Sequence, residues 1–302
     1  MYDGQTILLI ALPMVFGLAA SAQTTPKRPP ILGVARIALK TNDLAAERDF
    51  YSKYLGFAEP FTRGADAACF KVNDHQYVEV SAGLASPTDD RLVYIAFETS
   101  NAAQLRDYLA SKGVAVPDKV QPDADGNLTL MVKDPAGHDV RFIEYRPGSL
   151  QTRNFGKALP DTRVSEHMIH VGFTIQDQAA ANVFFHDILG FTEFWHGGMT
   201  DTQVQWVDMR VPDGKDWLEY MLYPKNISPS TLGTMNHMAL GVPDVAAGYK
   251  TVTDRGMKVQ QPPKIGRDGK WQLNLYAPNL TRAELMEPKP VEKPCCSPML
   301  DQ

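Results

Sequence analysis

Two stretches of the chain open on a histidine and close on an aspartate seven positions later. They are His170 to Asp177, HVGFTIQD, and His237 to Asp244, HMALGVPD. A neutral imidazole can ligate a divalent cation or move a proton near neutral pH. Either histidine alone reads more plainly as a satisfied core or surface residue. The chain has only seven histidines, however, and two of them stand at the same place in the same phrase. Their chemistry therefore depends on the elements that place them.

Those elements repeat. Within Ile37 to Phe57, IALKTNDLAAERDFYSKYLGF, the residues from Ala38 on align with Gly172 to Phe191, GFTIQDQAAANVFFHDILGF, at a constant offset of 134, with Phe50-Tyr51 over Phe184-Phe185 and Leu55-Gly56-Phe57 over Leu189-Gly190-Phe191. Tyr94 to Val114 aligns with His237 to Met257 at an offset of 143, which also sets Asp134-Pro135 on Ala277-Pro278. The order is A, B, A′, B′. Each unit begins with period-two alternation, the signature of a strand. Asp or Asn then provides a helix N-cap, about twelve residues of helical pattern follow, and Gly56, Gly113, Gly190 or Gly256 stops the helix. Runs such as ACFKVN, YVEVSA, QVQWVDMRV and WLEYMLY read as further strands. Each unit is thus a βαβββ module. The segment Arg146 to Glu166 has no clear period and separates AB from A′B′.

The four modules, the FYxxxLGF pattern after the helix and DPAG before a last strand resemble the vicinal oxygen chelate superfamily. That group includes glyoxalase I, extradiol dioxygenases, epimerases and bleomycin- or fosfomycin-resistance proteins. The resemblance runs from Ile31 to Pro288 and is specific for fold more than for reaction, since one fold hosts many chemistries. It implies an α+β chain of four modules paired into two tandem lobes, each an open cup of curled mixed sheets. The expected organisation is a signal peptide over 1–22, a leader over 23–30, a first lobe over 31–146, a linker over 147–166, a second lobe over 167–288 and a disordered tail over 289–302. The two lobes are expected to be separable.

In the family, the first strand of a metal-binding module carries a ligand, usually His, and the last strand carries a Glu. The first position, seven before the N-cap, holds Arg36, Tyr94, His170 and His237. The second holds Glu79, Arg141, Glu219 and Glu284. The resemblance therefore implies one divalent metal in the second lobe on His170, Glu219, His237 and Glu284, with Zn, Ni, Mn, Co and Fe(II) all suited to such a donor set. A guanidinium cannot ligate a cation and repels one, so the first lobe, with Arg36 and Arg141, is expected to be metal-free. Strand alternation adds Trp217 and Met221 beside Glu219, and Arg282 and Met286 beside Glu284, as candidate substrate contacts. Trp206, Trp271 and Tyr276 are weaker candidates. His167 falls outside the register and reads as structural, and His75, His138, His186 and His196 have no such register.

A metal in this cup implies Lewis-acid catalysis on a small substrate with two neighbouring oxygens. The leading expectation is a glyoxalase-like lyase or isomerase passing through enediolate-like charge, with Glu219 and Glu284 as catalytic residues. The alternatives are an extradiol dioxygenase using Fe(II) on His170, His237 and Glu284, and a non-enzymatic binding or resistance protein. The dioxygenase pattern wants His and Tyr ahead of the final strand, and KIGRDGKWQLNLYAPNLTRAE supplies only Tyr276, very close to the Glu.

The remaining features bound the class. The chain has 302 residues, 44% hydrophobic and 22% charged, with net charge −5. The composition is globular, and with no basic run it disfavours nucleic acid. The apolar run Ile7 to Ala22 ends in Ala20-Ser21-Ala22, which suits a signal peptidase site before Gln23, although MYDGQT lacks a basic residue. Export to the periplasm or medium is expected, with no stable membrane span after processing; an uncleaved anchor is the alternative. A homodimer is a further expectation. Three cysteines, Cys69, Cys295 and Cys296, are too few for a disulfide framework.

Overall fold

The computed structural model describes residue 1 and residues 26–223 and 228–300. The expected signal segment thus lies, Met1 apart, outside the described residues. The first lobe holds β1 (Ile31–Thr41), β2 (Ala67–Lys71), β3 (Tyr77–Ala82), β4 (Leu92–Thr99), β5 (Gln121–Pro122), β6 (Leu128–Lys133) and β7 (Asp139–Glu144). These form one sheet in the order β2-β3-β1-β4-β7-β6-β5. The second lobe holds β8 (His167–Ile175), β9 (Thr192–Gly197), β10 (Trp206–Arg210), β11 (Trp217–Leu222), β12 (His237–Gly241), β13 (Lys264–Ile265), β14 (Trp271–Tyr276) and β15 (Arg282–Met286). Its order is β13-β14-β15-β12-β8-β11-β10-β9. The chain is an α+β fold of two tandem lobes, each built on a curled mixed sheet.

Within each module the first and last strands pair in parallel, as β1 with β3 and β8 with β11. A parallel pair needs a crossover, and the module's helix supplies it. The two modules of a lobe then join through their first strands, β1 antiparallel to β4 and β8 antiparallel to β12. This places the two histidine-bearing strands side by side.

The crossover helices are α1 (Leu44–Arg48), α2 (Ala102–Ser111), α4 (Gln178–Asn182) and α6 (Val245–Asp254); α3 (Leu150–Arg153) and α5 (Pro229–Met235) lie in connections. Asp43, Asn101, Asp177 and Asp244 cap the four crossovers, each accepting a backbone N–H three residues on at 2.8–3.0 Å. In the A and A′ modules the helix widens into a π-helical turn, Asp49–Tyr54 and Val183–Ile188. That turn carries Phe50-Tyr51 and Phe184-Phe185 into the core, where all four are buried.

The modules pair A with B and A′ with B′, and the two lobes also pack against each other. One apolar core contains buried residues of both lobes. Phe97 of β4 meets Phe191 edge-on, with centroids 5.2 Å apart. Each such buried phenylalanine contributes about 1.5–3 kcal/mol over leaving it in water. Polar locks accompany the core: the Gln76 amide donates to the Met168 carbonyl at 2.8 Å and accepts from the Met168 N–H at 2.7 Å. The Asn279 N–H donates to Glu47 Oε1 at 2.8 Å. Splitting the lobes would expose both the apolar face and these buried partners.

The segment between the lobes is folded back on the first one. Ser149 caps α3, and the buried Gln151 donates to Asp125 Oδ2 at 2.6 Å. The tail is likewise not a disordered appendage over its described part. The Ser297 hydroxyl accepts from the His196 N–H at 3.0 Å, and the Leu300 N–H donates to the Phe194 carbonyl at 2.9 Å. Both contacts lie on β9, the edge strand, whose open hydrogen-bonding groups need a cover. Among the described residues, no helix is long and apolar enough to cross a membrane.

Candidate active site

The cross-strand registers decide which side chains meet. On β8, His170 lies opposite Trp217 of β11 and Ala239 of β12, while Gly172 lies opposite Glu219 and His237. Ala239 in turn faces Glu284 of β15. Alternation points these residues into one cup. His237 Nε2 stands 3.0 Å from His170 Nε2 and 2.9 Å from Glu219 Oε2. Glu284 Oε2 is 4.0 Å from both imidazole Nε2 atoms, and His170 Nε2 is 3.7 Å from Glu219 Oε2. All four residues expected as ligands therefore converge.

The protons leave a gap that a cation would fit. His237 Nδ1 is 2.7 Å from the Met235 carbonyl, which can only accept, so Nδ1 carries the proton. Burial holds both imidazoles well below their ordinary pKa, favouring the neutral ring. Neutral His237 then presents a bare lone pair at Nε2 toward the carboxylate of Glu219. Two acceptors 2.9 Å apart repel unless a positive charge lies between them. His170 Nδ1 and Glu219 Oε2 are buried without a hydrogen-bond partner. One ion with donor distances of about 2.1 Å spans donors up to about 4.2 Å apart, which fits the separations among His170, His237 and Glu284 and those from Glu219 to the two imidazoles. The Met235 contact is the outer hydrogen bond that orients a ligating imidazole.

Around the donors lies a cavity of about 400 Å³. Trp195, Trp206, Met199 and Met286 provide apolar wall, and Arg282 and Arg267 provide charge. Burial pushes the Glu284 carboxyl up to about 7, against the lowering effect of Arg282. Asp208 is raised well above the usual range, by burial first and then by Glu219. A crowd of buried carboxyls of this kind favours a bound cation.

The candidate substrate contacts divide. Arg282 and Met286 line the cavity, with Trp206 and Tyr276. Trp217 packs 4.9 Å, centroid to centroid, from the His170 ring but opens onto a different cavity of about 850 Å³ beside the tail. Met221 is a correction: it is 1% exposed and lines neither cavity. It shares the face of Glu219 but lies farther along β11, beneath Trp206 of β10. Trp271 is 36% exposed and lines neither cavity. His167 pairs with Asp216 at 2.6 Å, away from the donors. The sequence reading missed Asp208, which lies directly across from Glu219 and lines the cavity. Alternation along WVDMR was the available signal. It also missed Arg267, which comes from a turn with no period to follow.

The first lobe has the same registers and other chemistry. Arg36 holds the place of His170, Ala38 that of Gly172, Tyr94 that of His237, and Arg141 that of Glu284. Arg36 donates to Glu79 at 3.0 Å and Asp125 at 3.1 Å, and Tyr94 donates to Glu79 at 2.7 Å. Arg63 pairs with both carboxylates. The Arg141 guanidinium lies 3.6 Å over the Tyr94 ring. Positive side chains thus stand where the second lobe gathers lone pairs.

Comparison with known proteins agrees with this architecture. The family model described as the Glyoxalase/Bleomycin resistance protein/Dioxygenase superfamily matches residues 33–142 and 167–274. No curated protein matches the sequence. Among solved structures, the chain is similar to the 2,3-dioxygenase LapB from Pseudomonas sp. KL28, with TM-score 0.67 and 14% identity over 89% of this chain and 97% of that one. It is similar to homoprotocatechuate 2,3-dioxygenase from Arthrobacter globiformis, with TM-score 0.66 and 16% identity over 87% and 81%. It is also similar to the Mn(II)-bound glyoxalase from Novosphingobium aromaticivorans, with TM-score 0.65 and 18% identity over 86% and 83%. At these identities the likeness speaks for the fold.

Proposed function

The chain belongs to the Glyoxalase/Bleomycin resistance protein/Dioxygenase superfamily, and we propose that its second lobe is a divalent-metal-dependent lyase or isomerase of glyoxalase type. The substrate class is a small molecule with two neighbouring oxygens. The observation that carries this reading is Glu219 Oε2, 2.9 Å from His237 Nε2 and without a hydrogen-bond partner. It sets Glu219 beside the compact group of His170, His237 and Glu284 as a fourth candidate donor.

A divalent ion such as Zn, Ni, Mn, Co or Fe(II) supplies Lewis acidity toward the substrate oxygens when bound. The protein's own groups do the rest. Glu219 lines the cavity and, once displaced from the ion by the substrate oxygens, takes the proton from the carbon next to them. Arg282, 4.0 Å from Glu219 Oε2 with its Nε unpartnered, attracts an anionic group and holds it beside that base. Trp195, Trp206 and Met286 wall the site on the apolar side and limit water.

A second reading, ring cleavage with Fe(II), is favoured by one observation: His170, His237 and Glu284 by themselves form a compact two-histidine, one-carboxylate set. Glu219→Gln separates the two. Variant and parent are assayed for metal content, for turnover of thiol adducts of α-oxoaldehydes and for oxygen uptake with catechols. Collapse of adduct turnover with metal retained is the expected result. Oxygen uptake that survives Glu219→Gln overturns the proposal in favour of the dioxygenase.

A further inference from the structure

The tail gathers a second set of metal-capable atoms, outside the cup. Sγ of Cys295, Sγ of Cys296 and a carboxylate oxygen of Asp201 lie within 4.8 Å of one another. Asp201 comes from the loop joining β9 to β10, so the set closes a long separation in sequence. Its scaffold is tied down from several sides. The Cys295 N–H donates to the Arg267 carbonyl at 2.8 Å, and Arg267 Nε donates to the Gly198 carbonyl at 2.9 Å. Ser297 holds His196 as described above. The thiols reach only weak partners: Cys295 Sγ is 3.9 Å from the Gly198 carbonyl, and Cys296 Sγ is 3.5 Å from that of Thr200. Cys295 is half-buried and Cys296 exposed, so solvent ions have access. Arg267 pairs with Asp201 and lies 4.0 Å from Cys296 Sγ.

We propose that Cys295, Cys296 and Asp201 form a binding site for a thiophilic divalent cation of the zinc group. Two thiolates and a carboxylate suit such an ion, with water or a loop carbonyl free to complete a tetrahedron. The charges balance. Two thiolates and Asp201 carry three negative charges, Arg267 one positive, and a divalent ion neutralises the remainder. Binding breaks two S–H bonds, forms two metal–sulfur bonds and releases two protons to solvent, with no change of oxidation state. The ion would staple the tail to the β9–β10 loop. Arg267 and Met199, from the same scaffold, line the cavity of the cup, so the staple sits at its rim.

Cadmium titration of the full-length, reduced protein tests this, because thiolate-to-cadmium charge transfer reports sulfur ligation alone and ignores the His/Glu set. Cys69 is wholly buried in the first lobe and stays silent. The expected result, with the cup already filled by a non-thiophilic divalent ion such as Mn(II), is a charge-transfer band that saturates at one cadmium per chain and is displaced by excess zinc. Cys295→Ser/Cys296→Ser should abolish the band while circular dichroism is unchanged. Asp201→Asn should keep it with affinity weakened by about tenfold or more. No band in the parent, a band that survives the double variant, saturation at one cadmium per two chains, or unaltered affinity in Asp201→Asn would each overturn the site.

Discussion

Gly172 lies directly under the imidazole of His237: a β-carbon built on Gly172 would stand 2.6 Å from Nδ1 and 3.0 Å from Nε2, and nearer still to Cε1. The first lobe shows what the vacancy is for. There the equivalent residue is Ala38, opposite Tyr94, and the longer tyrosine reaches Glu79 past a methyl group. An imidazole is shorter, and it must lie flat against the strand to aim Nε2 at His170 and Glu219. Gly172→Ala should push the ring out of line. Metal affinity should fall by about ten- to a hundredfold, the range for a disturbed ligand orientation. Metal content after dialysis against a graded chelator checks it; full retention would show that His237 does not need this pocket.

Arg36 should matter to stability and not to metal. It is 2% exposed and satisfies Glu79 and Asp125 together. Arg36→Met leaves those carboxylates with Arg63 as cationic partner and only the neutral donors Tyr94 and Gln151 besides, in a buried setting. Breaking one side of a buried ion pair costs about 3–5 kcal/mol. Urea unfolding should show that loss, and metal stoichiometry should be unchanged.

Glu47 should make stability depend on pH. Burial pushes its carboxyl up to about 7, against the lowering effect of the Asn279 N–H and the Thr41 hydroxyl. The native state therefore binds this proton more tightly than the unfolded chain, whose value is near 4.5. The contribution of Glu47 is fully present below about 4.5 and is lost as pH rises through about 7. Glu284 titrates over the same window, so the comparison is between parent and Glu47→Gln. The variant should lose part of the slope of unfolding free energy between pH 5 and pH 8, taken as a round window about these values. Equal slopes would remove Glu47 from the account.

Removing residues 289–302 should uncover β9. Leu300 and Ser297 then no longer engage the Phe194 and His196 backbone, and the cluster of Phe194, Trp195, Trp217 and Met286 loses Cys295 and Met299. An exposed edge beside apolar surface invites pairing between chains. Light scattering should show concentration-dependent association of the truncated protein that the full chain lacks.

The modules were legible in the sequence for a physical reason, and the four candidate donors through the register that the family resemblance singles out. A cap fixes where a helix begins, and strand alternation counts backward from it without ambiguity. Given the strand positions that the resemblance implies, Asp177 and Asp244 set the count to His170 and His237, and the duplicated last strand set it to Glu219 and Glu284. The same counting located Arg36 and Glu79, which the structure joins in an ion pair. Alternation gives a face, however, and not the distance along the strand at which the cup ends. Met221 and Trp217 share the face of Glu219, and only the curl of the sheet and its neighbours leave Met221 covered and turn Trp217 toward a second cavity. The shared core of the lobes, the tail laid on β9 and the meeting of Cys295 and Cys296 with Asp201 depend on contacts between segments far apart in the chain. No local period encodes such contacts, so packing alone decided them.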